Sequence, residues 1–171
     1  MSGIAHLHSQ EIVHCNLNTW NVLLSADSAV RIMGLDEARV QRPGFRWEVS
    51  NLEAARHGLH IGMLEYRAPE ILMAFSRFNS KVDSWSMGCI IAELAGRKPV
   101  FTADSIEEVL AQVFLLMGSP PEGVYTELSM YPGWEERYAL QAERPNWAVQ
   151  FLPDSDGADL LTSLMTFAPS R

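Results

Sequence analysis

Between Ser80 and Gly96 the chain carries Val82, Trp85, Met87, Cys89, Ile90, Ile91 and Leu94, a run whose apolar side chains fall on nearly every side of a helix. A helix with no polar face has to lie at the centre of a fold, wrapped by other elements. Ser80 and Asp83 are placed to act as an N-terminal capping pair, and Gly96 as the C-terminal stop. With 47% of the 171 residues apolar and 20% charged, there is material for one buried core around this helix. A single domain is the expectation.

The rest of the chain supplies the wrapping. Ile4 and Leu7, with Ala5 beside them, read as the tail of an amphipathic helix. Asn21 to Leu24 and Val30 to Met33 are β-favouring runs separated by the turn formers Asp27 and Ser28, which predicts a small hairpin. From Gly34 to about Tyr66 the periodicity is lost, and Pro43, Gly44, Gly58 and Gly62 punctuate a stretch long enough to suggest a functional loop. A further helix opens at Asp104, with Glu107 three residues on. It sets Ile106, Leu110, Val113, Phe114 and Met117 on one stripe and stops at Gly118, ahead of Pro120 and Pro121. A last helix from about Asp156 turns Leu160, Leu161, Leu164 and Met165 inward. The expected fold is mainly α with one small β-hairpin.

Charge and cysteine usage exclude several function classes. A formal charge of −8 argues against nucleic acid as a partner, because phosphate-backbone affinity comes from clustered Lys and Arg. Cys15 and Cys89 are far apart and suggest neither a disulfide framework nor a zinc site. No apolar stretch approaches the roughly 20 residues that span a bilayer, and Met1 to Gln10 do not read as a secretion signal. An intracellular setting, cytoplasmic or nuclear, is the expectation. His57 and His60 lack acidic or cysteine companions at ligand spacing, so no metal site is expected there. Phe45, Arg46 and Trp47 form a candidate contact patch.

The chemistry-bearing segment is His14-Cys15-Asn16-Leu17-Asn18-Thr19-Trp20-Asn21, continued by Val22-Leu23-Leu24. It resembles the catalytic loop of eukaryotic protein kinases, His-Arg-Asp-Leu-Lys-Pro-x-Asn. Gly34-Leu35-Asp36, Tyr66-Arg67-Ala68-Pro69-Glu70 and Asp83-Ser84-Trp85-Ser86-Met87-Gly88 follow in the order of the next kinase landmarks. The resemblance covers effectively the whole chain and is nearest the cyclin-dependent and mitogen-activated kinase branch, cyclin-dependent kinases in particular. It implies a protein-kinase-like C-terminal lobe over residues 1–171 with the N-terminal lobe absent. Within it fall a catalytic-loop region at 14–24, an activation segment at 34–70 and a helical insert at 104–155.

Set against the family pattern, the charged groups that do the chemistry are replaced. Asn16 stands where the family has the aspartate that orients the substrate hydroxyl, and an amide is no base at neutral pH. Asn18 stands where a lysine supports the transferring phosphate. Gly34 takes the place of the magnesium-binding aspartate and offers no side-chain oxygen. Asp36, two positions on, would reach a metal only along a changed backbone path. Asn21 matches the second metal ligand and is retained, although tying the loop to its own backbone is its simpler role. Cys15 replaces the arginine that meets an activation-segment phosphate in many kinases.

Scaffold positions are better kept. His14 is read as a core residue beneath the loop. The resemblance implies that Asp83 receives hydrogen bonds from catalytic-loop amides and that Glu70 pairs with Arg171. No G-x-G-x-x-G or G-x-x-x-x-G-K-S/T pattern occurs in the sequence, so neither ATP nor magnesium is expected as a cofactor.

Two functions follow, from different classes. One is a pseudokinase fragment, catalytically inactive, that binds a protein partner through the helical insert and has an N-terminal lobe or a cyclin-like subunit as a further possible neighbour. The other is an ATP-dependent serine/threonine kinase of the cyclin-dependent type that needs an N-terminal lobe missing from this chain. A truncated gene product without a selected function is the third possibility.

Overall fold

The computed structural model describes residues 2–41, 47–48, 61–73, 77–102, 104–118 and 146–167. In chain order the elements are α1 (Ser2–Ser9), β1 (Ile12–Val13), β2 (Val22–Leu24), β3 (Val30–Ile32), β4 (Arg39–Val40), β5 (Trp47–Glu48), α2 (Pro69–Leu72), β6 (Arg77–Phe78), α3 (Lys81–Gly96), α4 (Ile106–Met117) and α5 (Ser155–Leu164). Short 3-10 helices lie at Thr19–Asn21, Leu35–Glu37, Leu64–Tyr66 and Trp147–Gln150.

Helix α3 is the buried centre, with Val82, Trp85, Cys89, Ile90 and Ala92 all in the core. Trp85 stacks on Phe101 with ring centroids 6.2 Å apart. Against this centre α4 sets Val109, Val113 and Phe114, and α5 sets Ala158, Leu161 and Met165. The approach of α5 is close enough that a Cβ on Gly88 would come within 2.4 Å of Met165 Cγ. Glycine in a helix interior costs about 1 kcal/mol relative to alanine, and here it is what lets Met165 reach the helix backbone.

Several ends and faces differ from the sequence expectation. Neither member of the expected capping pair caps α3: Ser80 already has helical backbone angles, φ −59° and ψ −10°, and makes no side-chain capping bond, and the Asp83 carboxylate is turned to the loop before the hairpin. The left-handed residue that closes α3 is Arg97, at φ 57°, with Gly96 still inside the helix. Helix α4 is capped by Ser105, whose hydroxyl accepts from the Glu108 amide at 3.2 Å. Its start is therefore at Ile106, with Asp104 outside. Asp154 caps α5 by accepting from the Gly157 amide at 2.7 Å, and Leu160 faces solvent, with Leu161 and Met165 carrying the inward face.

The hairpin is present, with Val22 opposite Ile32 and Leu24 opposite Val30. The stretch after Gly34 is less irregular than its sequence suggests: β4 pairs antiparallel with β1, Val13 facing Arg39, and β5 pairs with β6. Two-residue strands carry too few positions to show a period, so neither pair was visible in the pattern. Residues 1, 42–46, 49–60, 74–76, 103, 119–145 and 168–171 lie outside the description, and with them His57, His60, Phe45, Arg46, Arg171 and most of the 104–155 insert. No described helix is long and apolar enough to cross a membrane.

Candidate functional site

The loop from His14 to Asn21 is held from below. The His14 and Cys15 amides donate to Oδ2 and Oδ1 of Asp83 at 2.8 and 2.9 Å, and His8 Nε2 lies 2.8 Å from the same Oδ2. Asp83 is buried, so three groups converge on a carboxylate that water does not reach. His14 is fully buried. Its Nε2 faces the Met33 carbonyl at 2.9 Å and its Nδ1 faces the Asn16 amide at 3.2 Å. A carbonyl only accepts and an amide N–H only donates, so Nε2 is the donor to Met33 and Nδ1 the acceptor from Asn16. Cys15 sits at φ 65°, and burial pushes its thiol up to about 12. It is no nucleophile near neutral pH.

The three asparagines of the loop bond to one another and to nearby backbone. Asn18 is buried and caps the 3-10 helix that follows, its Oδ1 accepting from the Trp20 and Asn21 amides at 2.9 and 3.1 Å. Its Nδ2 donates to the Asn16 carbonyl at 3.0 Å and to Asn16 Oδ1 at 2.8 Å. Asn21 Nδ2 donates to the Asn16 carbonyl as well, at 2.9 Å. Asn18 therefore points into the protein, where a long cationic side chain has no outlet. The pattern of an asparagine ahead of a short helix carried that signal.

Glu37 was not singled out from sequence, yet it is the carboxylate to which the Asn16 side chain donates. Its Oε1 accepts from Asn16 Nδ2 at 2.8 Å and its Oε2 from the Gly62 amide at 2.7 Å. Tyr66, which the sequence marks only as the first residue of the Tyr66–Glu70 landmark, is buried, donates to Glu93 at 2.5 Å and meets the Thr19 hydroxyl at 3.0 Å. Burial, with the Glu93 contact, pushes its phenol up to about 12. Glu70 is buried, and burial raises its carboxyl to about 7.

Magnesium takes a shell of oxygen ligands, and the residues present do not fit one where the resemblance places it. Gly34 has φ 79°, and a Cβ there would stand 2.6 Å from Asn21 Oδ1, so Asn21 fills the space a ligand side chain at 34 would need. Asp36 is exposed in the 3-10 helix after Gly34, and both Glu37 oxygens already accept hydrogen bonds. Among the described residues no three His, Cys, Asp or Glu side chains are grouped to hold a metal ion.

Above the loop, the hairpin presents an apolar surface to solvent. Trp20 is 77%, Leu24 72% and Val30 68% exposed, with Leu23, Met33 and Leu35 about half exposed.

Comparison with known proteins places these features in one context. A family model described as the protein kinase domain matches residues 1–171. The chain is 33% identical to mouse cyclin-dependent kinase 4 over 172 residues, covering 100% of this chain and 52% of that protein. It is 32% identical to cyclin-dependent kinase B2-1 of Oryza sativa subsp. japonica over 170 residues, covering 99% and 49%. Against mitogen-activated protein kinase MKC1 of Candida albicans the identity is 30% over 171 residues, covering 99% and 33%. The chain thus spans between a third and about half the length of these relatives.

Proposed function

The chain belongs to the protein kinase domain family, and from that premise we propose that it is a catalytically inactive, C-terminal-lobe-like module that works by binding protein. The observation that carries this reading is the state of the loop. Asn16 and Asn18 stand at the positions of the family's base and lysine, and their amides are spent on each other and on Glu37. Among the described residues, magnesium has no ligand set in the arrangement the family uses, with Gly34 offering no oxygen and Asn21 filling the space beside it. General-base assistance alone is worth roughly 10²- to 10⁴-fold in rate, and a second charged group that stabilises the transferring phosphate is missing besides.

The exposed apolar side chains on and beside the hairpin, Trp20, Leu24 and Val30 foremost, support a protein neighbour, since large apolar groups left to solvent in numbers mark interaction sites. That neighbour is an N-terminal lobe, or a cyclin-like subunit of the kind named for the cyclin-dependent relatives. The 104–155 insert is the second candidate contact region, and within its described part α4 turns Val109, Val113 and Phe114 inward.

A second reading is favoured by the coverage: a chain spanning half of its kinase relatives is a serine/threonine kinase that depends on a further lobe. Incubation with radiolabelled ATP and a generic serine-rich protein, in magnesium and in manganese, separates the two. The inactive module gives label indistinguishable from a blank, and transfer above it establishes the kinase.

A further inference from the structure

We infer that Glu37 is a latch between the loop and the segment carrying Gly62, and that an amide rather than a carboxylate at position 16 is what lets the latch close. The inference rests on the non-catalytic reading and adds the device that keeps Asn16 withheld from a substrate.

The latch has a direction. Glu37 accepts at both oxygens, from Asn16 Nδ2 at 2.8 Å and from the Gly62 amide at 2.7 Å, so it needs a donor on either side. Gly62 supplies a backbone N–H that no substitution removes short of proline. Its φ is 72°, a Cβ on it would come within 3.0 Å of the Cys15 carbonyl, and its own carbonyl accepts from Arg67 Nε at 2.9 Å. Gly62 is therefore fixed against the loop, and only the position 16 side of the latch is free to vary. There Asn16 donates to Glu37 with Nδ2 while Oδ1 accepts from Asn18 at 2.8 Å, so both ends of its amide are engaged.

An aspartate at 16 reverses one half of this pattern. Two carboxylates would then face each other at hydrogen-bond distance, and near neutral pH such a pair holds at most one proton comfortably. The charged and titratable groups around them are Arg67, which feels both Glu37 and Glu65, and Cys15, which lies near Asp83, Arg39 and Glu37. Restoring the family's aspartate alone thus breaks the contact that holds the segment and leaves the loop worse organised.

The test is a double-mutant cycle on the 171-residue chain with N16D, E37Q and N16D/E37Q. Thermal unfolding is followed at pH 5 and pH 8, together with hydrogen exchange at the Gly62 amide. N16D should lower Tm at pH 8 by roughly 4 °C and by less at pH 5, where the pair can share a proton. E37Q should also lower it, because an amide cannot accept from both donors. In the double variant the introduced amide donates to the introduced carboxylate while its oxygen accepts from Gly62. Most of the Tm should return, and Gly62 exchange, faster in both single variants, should slow again. Losses that simply add, or an N16D loss equal at both pH values, overturn the latch whatever a phosphotransfer assay reads. Label transfer by the unsubstituted chain instead overturns the non-catalytic reading, and with it the claim that Asn16 is withheld.

Discussion

The His14 amide donates to the Asp83 carboxylate at 2.8 Å across 69 positions of sequence, and the Cys15 amide donates to the other oxygen at 2.9 Å. One acid on the central helix thereby holds the loop through its backbone, independently of what side chains the loop carries. Removing it strands two buried N–H groups, each costing about 1–3 kcal/mol. D83A should therefore lose about 3 kcal/mol or more in urea unfolding, and D83N less, since its amide oxygen still accepts one of the two.

Glu70 makes stability depend on pH. Burial raises its folded carboxyl to about 7 from an ordinary value of 4.5, so the folded chain holds this proton more tightly than the unfolded one. The stabilising effect is full below about pH 4.5 and is lost as pH rises through 7, on the order of 3 kcal/mol in total. Denaturant midpoints at pH 5 and pH 8 should show this loss, and E70Q should flatten it. A flat profile in the unsubstituted chain would mean that the carboxylate is ionised and paired.

Arg97 closes α3 at φ 57° and is exposed, a backbone conformation that costs a residue with a Cβ about 1 kcal/mol. R97G should raise stability by about that amount, read as a higher urea midpoint at unchanged slope. A lower midpoint would show that the arginine side chain contributes more than its backbone costs.

The legible parts of the fold are those with a period or a stop. Helix α3 announces itself by apolar residues on all sides, and α4 by a stripe ending at Gly118, whose amide bonds to the Phe114 carbonyl at 2.9 Å. Helix starts were off by one or two residues because Asp104 and Ser105 are both good caps, and only packing chooses between them. The site was legible as substitutions and illegible as contacts. Asn18 reads from sequence as a missing charge, but its inward capping role depends on where the Trp20 and Asn21 amides point. Glu37 left no signal at all, since nothing in a sequence marks an acid as the acceptor for a glycine amide 25 residues away.

The most direct measurement is thermal unfolding of the chain with ATP, with and without magnesium. A ligand that binds only the folded state at 100 times its Kd adds about 2.7 kcal/mol, a shift of several degrees that such a scan resolves. With Gly34 contributing no oxygen and Asn21 occupying the space beside it, no magnesium-dependent shift should appear. A rise in Tm that requires magnesium and disappears with a chelator would contradict the account.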